Sequence, residues 1–262
     1  MSVAGPLWLI GCGNMGGAML RRWLAAGLDP AEVTVVTRSG VGVPEGVRSV
    51  RALPAGAAPA CVVLAVKPQQ LDAVAPTLGA LNPPLLVSIL AGVEVEALAR
   101  RIPAGAIVRA MPNLPVAIGK GVTALHTRDE SARAVAEALA APLGRYEWIA
   151  EEAQFDAVTA LAGCGPGFVF RFADALAAAG AALGLPRDQA ARLAIATLEG
   201  AALMAAAADV SPAVLADRVA SPGGSTREGL NVLDRDDALV RLLTETLAAS
   251  ARRNAEMAAA AR

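Results

Sequence analysis

The chain reads as an α/β protein. A Rossmann-type domain with a doubly wound parallel sheet is expected over 1–150, and an all-α domain over 151–262. Three observations predict this. An apolar strand, Leu7-Trp-Leu-Ile10, runs straight into a G-x-G-x-x-G turn at Gly11, Gly13 and Gly16 and then into an amphipathic helix. Short apolar runs alternate with helical segments as far as residue 149, the pattern of parallel strands buried on both faces. Beyond 150 only helical periodicity remains.

Each early element has a local reason. Gly11 allows the tight turn off the first strand, Gly13 lets the backbone approach a pyrophosphate, and Gly16 lets the following helix pack closely on the sheet. That helix, carrying Ala18-Met-Leu-Arg-Arg-Trp-Leu-Ala-Ala26, begins with free N–H groups and the positive end of its dipole. Gly11, Cys12, Gly13, Asn14, Met15 and Gly16 are therefore expected to line a dinucleotide. The second strand is expected over 33–37. NAD-binding versions place an acid roughly 20 residues after the glycines, on the ribose 2′-hydroxyl. Here the strand ends in Thr37-Arg38-Ser39. A guanidinium between two hydroxyls suits a 2′-phosphate, which arginine grips in bidentate fashion. These three residues point to NADPH, with NADH the alternative if Arg38 is only a solvated loop residue.

Further strands are expected over 61–66, 85–89, 106–109, 122–125 and 146–149, with helices at 94–101 and 131–141 among the connections. Ligands of an open α/β sheet bind beyond the carboxyl ends of its strands, which singles out three loops. Ala65-Val-Lys-Pro68 follows the third strand; Lys67 there either contacts the cofactor or sits solvated at a turn. Val87-Ser-Ile-Leu-Ala-Gly92 follows the fourth and offers backbone groups to the nicotinamide ribose. Arg109-Ala-Met-Pro-Asn-Leu-Pro115 follows the fifth, stiffened by its prolines. Ala110, Met111, Pro112 and Asn113 are expected to wall the nicotinamide ring there. The single histidine, His126, reads as a strand-end surface residue.

In the second half, helices are expected at 151–161, 168–183, 187–208, 212–219, 226–233 and 236–261. Ser211 before Pro212 is an N-cap with proline at the first helical position. The middle helices are apolar on nearly every side, as in Ala177-Ala-Ala-Gly-Ala-Ala-Leu183. Such helices need partners around them, and a second subunit is the expected one, making this a dimerisation domain. Ser221-Pro-Gly-Gly-Ser-Thr-Arg-Glu-Gly-Leu230 is a glycine turn leading into a helix capped by Ser225 or Thr226. It gathers hydroxyls and unsatisfied N–H groups into a carboxylate site, unless it is an ordinary capped helix start. Gly163-Cys-Gly-Pro-Gly167 is a related turn.

Composition excludes several classes. A net charge of −1 gives no electrostatic argument for nucleic acid or an anionic membrane. No uninterrupted apolar run reaches the roughly 18 residues of a membrane span. Residues 1–20 lack the basic start of a signal peptide, so the cytoplasm is expected. Cys12, Cys61 and Cys164 are scattered, which indicates neither a disulfide framework nor a zinc site. One histidine precludes a histidine metal cluster and argues against a Ser-His-Asp triad. Lys67 and Lys120 are the only lysines and Tyr146 the only tyrosine, so the helical half has no Lys, His or Tyr. Reducing a ketone requires a proton donor, usually one of these. An iminium arrives already protonated and needs mainly positioning.

Together these segments resemble the pyrroline-5-carboxylate reductase family over essentially the whole chain. The carriers are Ile10-Gly-Cys-Gly-Asn-Met-Gly16, Ala65-Val-Lys-Pro68, Arg109-Ala-Met-Pro-Asn113 and, most specifically, Ser221-Pro-Gly-Gly-Ser-Thr226. The resemblance implies reduction of 1-pyrroline-5-carboxylate to L-proline by NAD(P)H. It also implies a helical domain intertwined with its mate and often assembled into decamers. By position, Ser221, Ser225 and Thr226, with Gly224 in the turn, would hold the substrate carboxylate, Thr226 also lying near the ring nitrogen as the catalytic residue. Ala65, Val66, Lys67, Pro68, Met111, Pro112 and Asn113 would line the cofactor pocket. The family's Ser-Gly-Ser-Gly-Pro-Ala-Tyr looks like Ala162-Gly-Cys-Gly-Pro-Gly-Phe168 here, losing three hydroxyls. Leu114 stands where a Thr often follows Met-Pro-Asn, and Asp209 where a Glu is usual. The alternatives are reduction of a related cyclic imine or of a 2-hydroxy or keto acid, or dinucleotide binding without catalysis. The 3-hydroxyacid dehydrogenases would carry a Lys in the helical domain.

Overall fold

A computed structural model describes residues 5–54, 56 and 58–261. The chain divides into two compact units, one made of Met1–Cys164 with Ser250–Arg262 and the other of Gly165–Ala249.

The first unit is built on strands β1 (Leu7–Ile10), β2 (Val33–Val36), β3 (Arg48–Val50), β4 (Cys61–Leu64), β5 (Leu85–Ser88), β6 (Ala106–Pro112), β7 (Gly121–Thr127) and β8 (Gly144–Trp148). They form one sheet in the order β3-β2-β1-β4-β5-β6-β7-β8. Its helices are α1 (Asn14–Ala25), α2 (Leu71–Leu81), α3 (Val95–Ala99), α4 (Arg133–Ala140) and α5 (Phe155–Val158). The continuous apolar strands follow from burial on both faces. Leu7 and Leu9 of β1 pack with Met19, Leu20 and Trp23 of α1, while Trp8 and Ile10 face Leu64, Leu78 and Leu98 in a second cluster. Trp23 is fully buried, and its indole N–H donates to Leu139 O at 2.7 Å, giving the one polar atom of the ring a partner.

Two features depart from the expected all-parallel sheet. β7 runs antiparallel to β6, while the remaining strand pairs are parallel. The cause is the connection. Only a short 3-10 turn, Leu114–Ile118, and the left-handed Gly119 (φ +69°) separate the two strands, and a parallel return needs a crossover of a dozen or more residues. The second departure is β3, which has no counterpart among the expected strands. It is three residues long and largely exposed, so it carries no apolar run to announce it.

The second unit contains α6 (Gly165–Ala182), α7 (Arg187–Ala207), α8 (Pro212–Arg218), α9 (Ser225–Asp234) and the start of α10 (Ala238–Ala261), a helix that ends in the first unit. Ser211 caps α8 as expected, its hydroxyl accepting from Val214 N at 3.4 Å. Among the described residues only Ala190, Ala194 and Ala220 of this unit are buried hydrophobics, while Phe170, Leu193, Ile195, Met204, Val240 and Leu242 are exposed. α7 is long and apolar enough to cross a membrane by length and composition alone.

Candidate active site

The strand order reverses between β1 and β4, and open α/β sheets bind ligands at the carboxyl end of such a switch point. The glycine turn lies there. Gly11 has φ +92°, and its N–H donates to Val36 O at 2.9 Å. A Cβ on Gly11 would stand 2.7 Å from Ala65 O, so neither the backbone angle nor the space tolerates a side chain. A Cβ on Gly16 would meet Ala65 Cβ and Gly11 O at 3.0 Å each, which is the close helix–sheet approach inferred for it. A Cβ on Gly13 meets nothing within 4 Å. Gly13 is the N-cap of α1, with no side chain capping the helix and no acid in its first turn. That leaves exposed backbone N–H groups and a positive dipole end facing open space beside Gly13 and Asn14, the arrangement a pyrophosphate requires. Burial pushes the Cys12 thiol up from its ordinary value, with Arg21 partly offsetting this, so the turn carries no thiolate to repel a phosphate.

The neighbouring strand ends present the other expected cofactor residues. Thr37 N donates to Val50 O at 2.9 Å, and Arg38 follows, exposed and without a hydrogen bond or ion pair among the described residues. Ser39 Oγ accepts from Val41 N at 3.3 Å. Ala65 N donates to Ile10 O at 2.8 Å, holding the end of β4 against β1. Lys67 is exposed, and Gln70 Oε1 accepts from its backbone N–H at 3.2 Å before the 3-10 turn that opens at Pro68. Val66 packs on the second core cluster.

The proline loop is placed differently from the expectation of a side chain offered to the ring. Asn113 is buried: its Nδ2–H donates to Ala162 O at 2.9 Å, and its Oδ1 accepts from Val122 N at 2.8 Å. Its backbone N–H donates to Val122 O and its carbonyl accepts from Val116 N, both at 3.1 Å. The amide is a clasp between the end of β6 and the turn Thr159–Gly163. That turn is a π-helical bulge continuing from α5, a form found frequently at functional sites. Ala110 belongs to the main core, and Met111 packs with Ala124 and Phe155.

Beneath this loop lies a polar cluster that sequence reasoning missed. Arg109 NH1 meets Glu152 Oε1 at 3.1 Å, both side chains being largely buried. The guanidinium carbon sits 4.2 Å from the centroid of the Phe155 ring, and Val95 N donates to the same Glu152 oxygen at 2.8 Å. One carboxylate thus ties the start of α3, strand β6 and the turn that leads into α5. His126, opposite Arg109 on β7, is not the surface residue expected. It is 7% exposed, its Nδ1–H donates to Ile149 O at 2.8 Å, and its ring meets Phe155 edge-on.

In the second unit, Ser221-Pro-Gly-Gly-Ser-Thr226 forms a turn closed by Gly224 N donating to Ser221 O at 2.9 Å. The N-cap of α9 is Gly224, not Ser225 or Thr226 as expected, and no side chain caps the helix. Ser225 and Thr226 therefore occupy the first two helical positions, exposed, as Ser221 is. Arg227, beside them, pairs with Asp217 of α8 at 2.7 Å and fixes the turn between the two helices. A helix start with uncapped N–H groups and free hydroxyls around it has donors to offer a small anion.

Known proteins share this architecture. Residues 152–257 match the family described as pyrroline-5-carboxylate reductase dimerisation, and residues 7–92 match NADP oxidoreductase, coenzyme F420-dependent. The chain is 38% identical over 245 residues to the pyrroline-5-carboxylate reductase of Synechocystis sp., covering 87% of this chain and 90% of that protein. It is 38% identical to that of Thermus thermophilus, covering 96% and 98%. A solved pyrroline-5-carboxylate reductase from Coxiella burnetii matches with a TM-score of 0.90 at 32% identity, covering 97% and 98%. The Plasmodium falciparum pyrroline carboxylate reductase solved with NADP bound shares the fold, with a TM-score of 0.82 at 24% identity over 97% and 98% of the two chains.

Proposed function

The chain belongs to the pyrroline-5-carboxylate reductase family, and from that premise we propose how its own residues divide the reaction. It reduces 1-pyrroline-5-carboxylate to L-proline with NAD(P)H, the last step of proline synthesis, and self-associates through its helical unit. The bound NAD(P)H supplies the hydride. The uncapped start of α1, with Gly11, Cys12, Gly13, Asn14, Met15 and Gly16, neutralises the pyrophosphate. Thr37, Arg38 and Ser39 take the adenosine 2′-phosphate, which makes NADPH the preferred form. Ala65, Val66, Lys67 and Pro68 line the cofactor's path along the sheet edge, and Ala110, Met111 and Pro112, whose side chains are buried, meet it through the backbone at the end of β6. Asn113 acts as a positioning residue, since all its polar groups already hold backbone.

The uncapped, hydroxyl-bearing start of α9 is the observation that carries the substrate assignment. Ser221, Ser225 and Thr226 hold the carboxylate through hydroxyls and free N–H groups, and Thr226 orients the ring nitrogen. Gly224 serves by having no side chain, because a Cβ there would stand 3.1 Å from Ser221 O. The iminium arrives protonated, so these residues need only orient it and exclude water rather than supply a strong acid. We place the enzyme in the cytoplasm as a dimer that assembles further to a decamer, with no nucleic-acid or membrane partner.

The test mixes purified protein with NADPH and racemic pyrroline-5-carboxylate and follows NADPH absorbance, with NADH and other cyclic imines in parallel. Rapid NADPH oxidation with pyrroline-5-carboxylate is expected. Turnover only with another imine would overturn the substrate, and tight NADPH binding without any turnover would leave a binding protein.

A further inference from the structure

We infer that Arg51 is a second cation for the adenosine 2′-phosphate, so that cofactor choice is made by two arginines at adjacent strand ends rather than by Arg38 alone. The inference rests on the NADPH preference proposed above.

β2 and β3 pair in parallel with Val36 opposite Val50, and the pairing extends past both strands through Thr37 N donating to Val50 O at 2.9 Å. Extending that register puts Arg51 opposite Thr37, with Arg38 one residue farther along, so the two arginines leave the carboxyl ends of neighbouring strands one position apart. Neighbouring strands lie about 4.8 Å apart, well within the span of two long guanidinium side chains meeting one phosphate. Both residues are exposed, and neither makes a hydrogen bond or ion pair among the described residues. Two unpaired cations at neighbouring strand ends repel each other, and an anion held by both relieves that cost.

The loop joining the strands sets where that anion lies. A Cβ on Gly40 would stand 3.9 Å from Ser49 Oγ, so the chain just after Arg38 folds back over the face of β3 that carries Ser49. Side chains alternate along a strand, which puts Arg51 on the Ser49 face, the one the loop covers. Farther along the same loop, Gly42 O accepts a weak bond from Cys12 Sγ at 3.7 Å, so this loop reaches the glycine turn itself. Arg48 is the internal contrast. It is also exposed, but it begins β3 and lies about 10 Å back along the strand from Arg51, toward the amino edge of the sheet.

The experiment measures dissociation constants of NADPH and NADH, by quenching of protein fluorescence without substrate, for the wild type and for Arg38→Ala, Arg51→Ala and Arg48→Ala. Arg51→Ala is expected to weaken NADPH about 5- to 10-fold, to change NADH less than twofold and to flatten the salt dependence of NADPH binding. Arg48→Ala should change neither. Selective loss in Arg38→Ala with none in Arg51→Ala would overturn this inference and leave the NADPH reading intact. Equal loss in Arg48→Ala and Arg51→Ala would also overturn it, leaving only a diffuse positive field. A wild type that binds NADH as tightly as NADPH would remove the underlying reading instead.

Discussion

Replacing Arg109 by Met tests whether the buried cluster holds the sheet edge in place. Arg109 and Glu152 meet at 3.1 Å with side chains 4% and 16% exposed, and Val95 N donates to the same carboxylate oxygen at 2.8 Å. Methionine keeps most of the volume over the Phe155 ring, so the cavity cost is small. What remains is a buried carboxylate without its counter-charge. Removing one partner of such a pair costs about 3–5 kcal/mol. The lower end applies here, because Arg109 Nε is itself buried without a partner and its desolvation cost disappears with the side chain. At about 2–4 °C per kcal/mol for a protein of this size, 3 kcal/mol lowers the melting temperature by about 6–12 °C. The double variant Arg109→Met/Glu152→Gln keeps an oxygen for Val95 N but removes the stranded charge, so it should recover more than half of the loss. The assay is thermal unfolding followed by near-ultraviolet circular dichroism at fixed protein concentration. A single variant that melts within 2 °C of wild type, or a double variant as damaged as the sum of the two singles, refutes the pairing.

The other expectations concern the cofactor turn, the substrate turn and a buried thiol. Gly11→Ala forces a Cβ to 2.7 Å from Ala65 O at φ +92°, so NADPH affinity should fall at least tenfold in a titration, and an unchanged affinity would refute the assigned geometry. Thr226→Ala should lower kcat roughly 10- to 100-fold while leaving the NADPH dissociation constant unchanged, and wild-type kcat would exclude Thr226 from catalysis. Burial pushes the Cys61 thiol from 9.0 up to about 12. Because the unfolded chain ionises first, the stability due to the protonated thiol is complete below about pH 9 and is lost as pH rises toward 12, at about 1.4 kcal/mol per pH unit. Urea unfolding between pH 8 and pH 10.5 should show this slope, and Cys61→Ala should flatten it. Identical slopes in the two proteins would falsify the assignment.

The parts of this molecule legible in the sequence are those fixed by neighbours a few residues away. Gly11, Gly13 and Gly16 sit within one turn, and the strand before them and the helix after them make their roles readable in order. The direction of β7 was legible in principle, since the Leu114–Ile118 turn is too short for a crossover, but periodicity reports a strand without its direction. Asn113 shows a different limit. Flanking prolines marked a fixed backbone, yet the partner that fixes it, Ala162 O, lies 49 residues away, so the amide that looked available to a ligand is already engaged. Arg109 and Glu152 are 43 residues apart and meet only because the turn before α5 returns to β6, while Phe155 at the start of α5 reaches Arg109 of β6 and His126 of β7. The helix start near Ser225 and Thr226 was legible, but the cap is Gly224, one position before Ser225 and two before Thr226. That shift matters, because a hydroxyl spent on capping its own helix is not free for a carboxylate.

The helical unit exposes the apolar faces that self-association of this protein can cover. A stable unit needs enough apolar area removed from water to offset the conformational entropy of ordering its chain, about 1–2 kcal/mol per residue for backbone alone. All the largest fully buried side chains, Trp23 and Phe155 among them, belong to the first unit. The second buries only three alanines among its described hydrophobic residues, while Phe170 and Ile195 are each 61% exposed. Burying a side chain of that size contributes roughly 1.5–3 kcal/mol, so the exposed faces of α6, α7 and α10 hold back most of the stabilisation this unit could gain. A lipid bilayer could supply it for α7 only by also taking up Arg187, Asp188, Arg192 and Glu199, at several kcal/mol for each charge near its centre. A second copy of the chain can cover the same apolar faces and leave those charges at the rim in water. The family's dimerisation segment covers these helices, which is where self-association has apolar surface to bury.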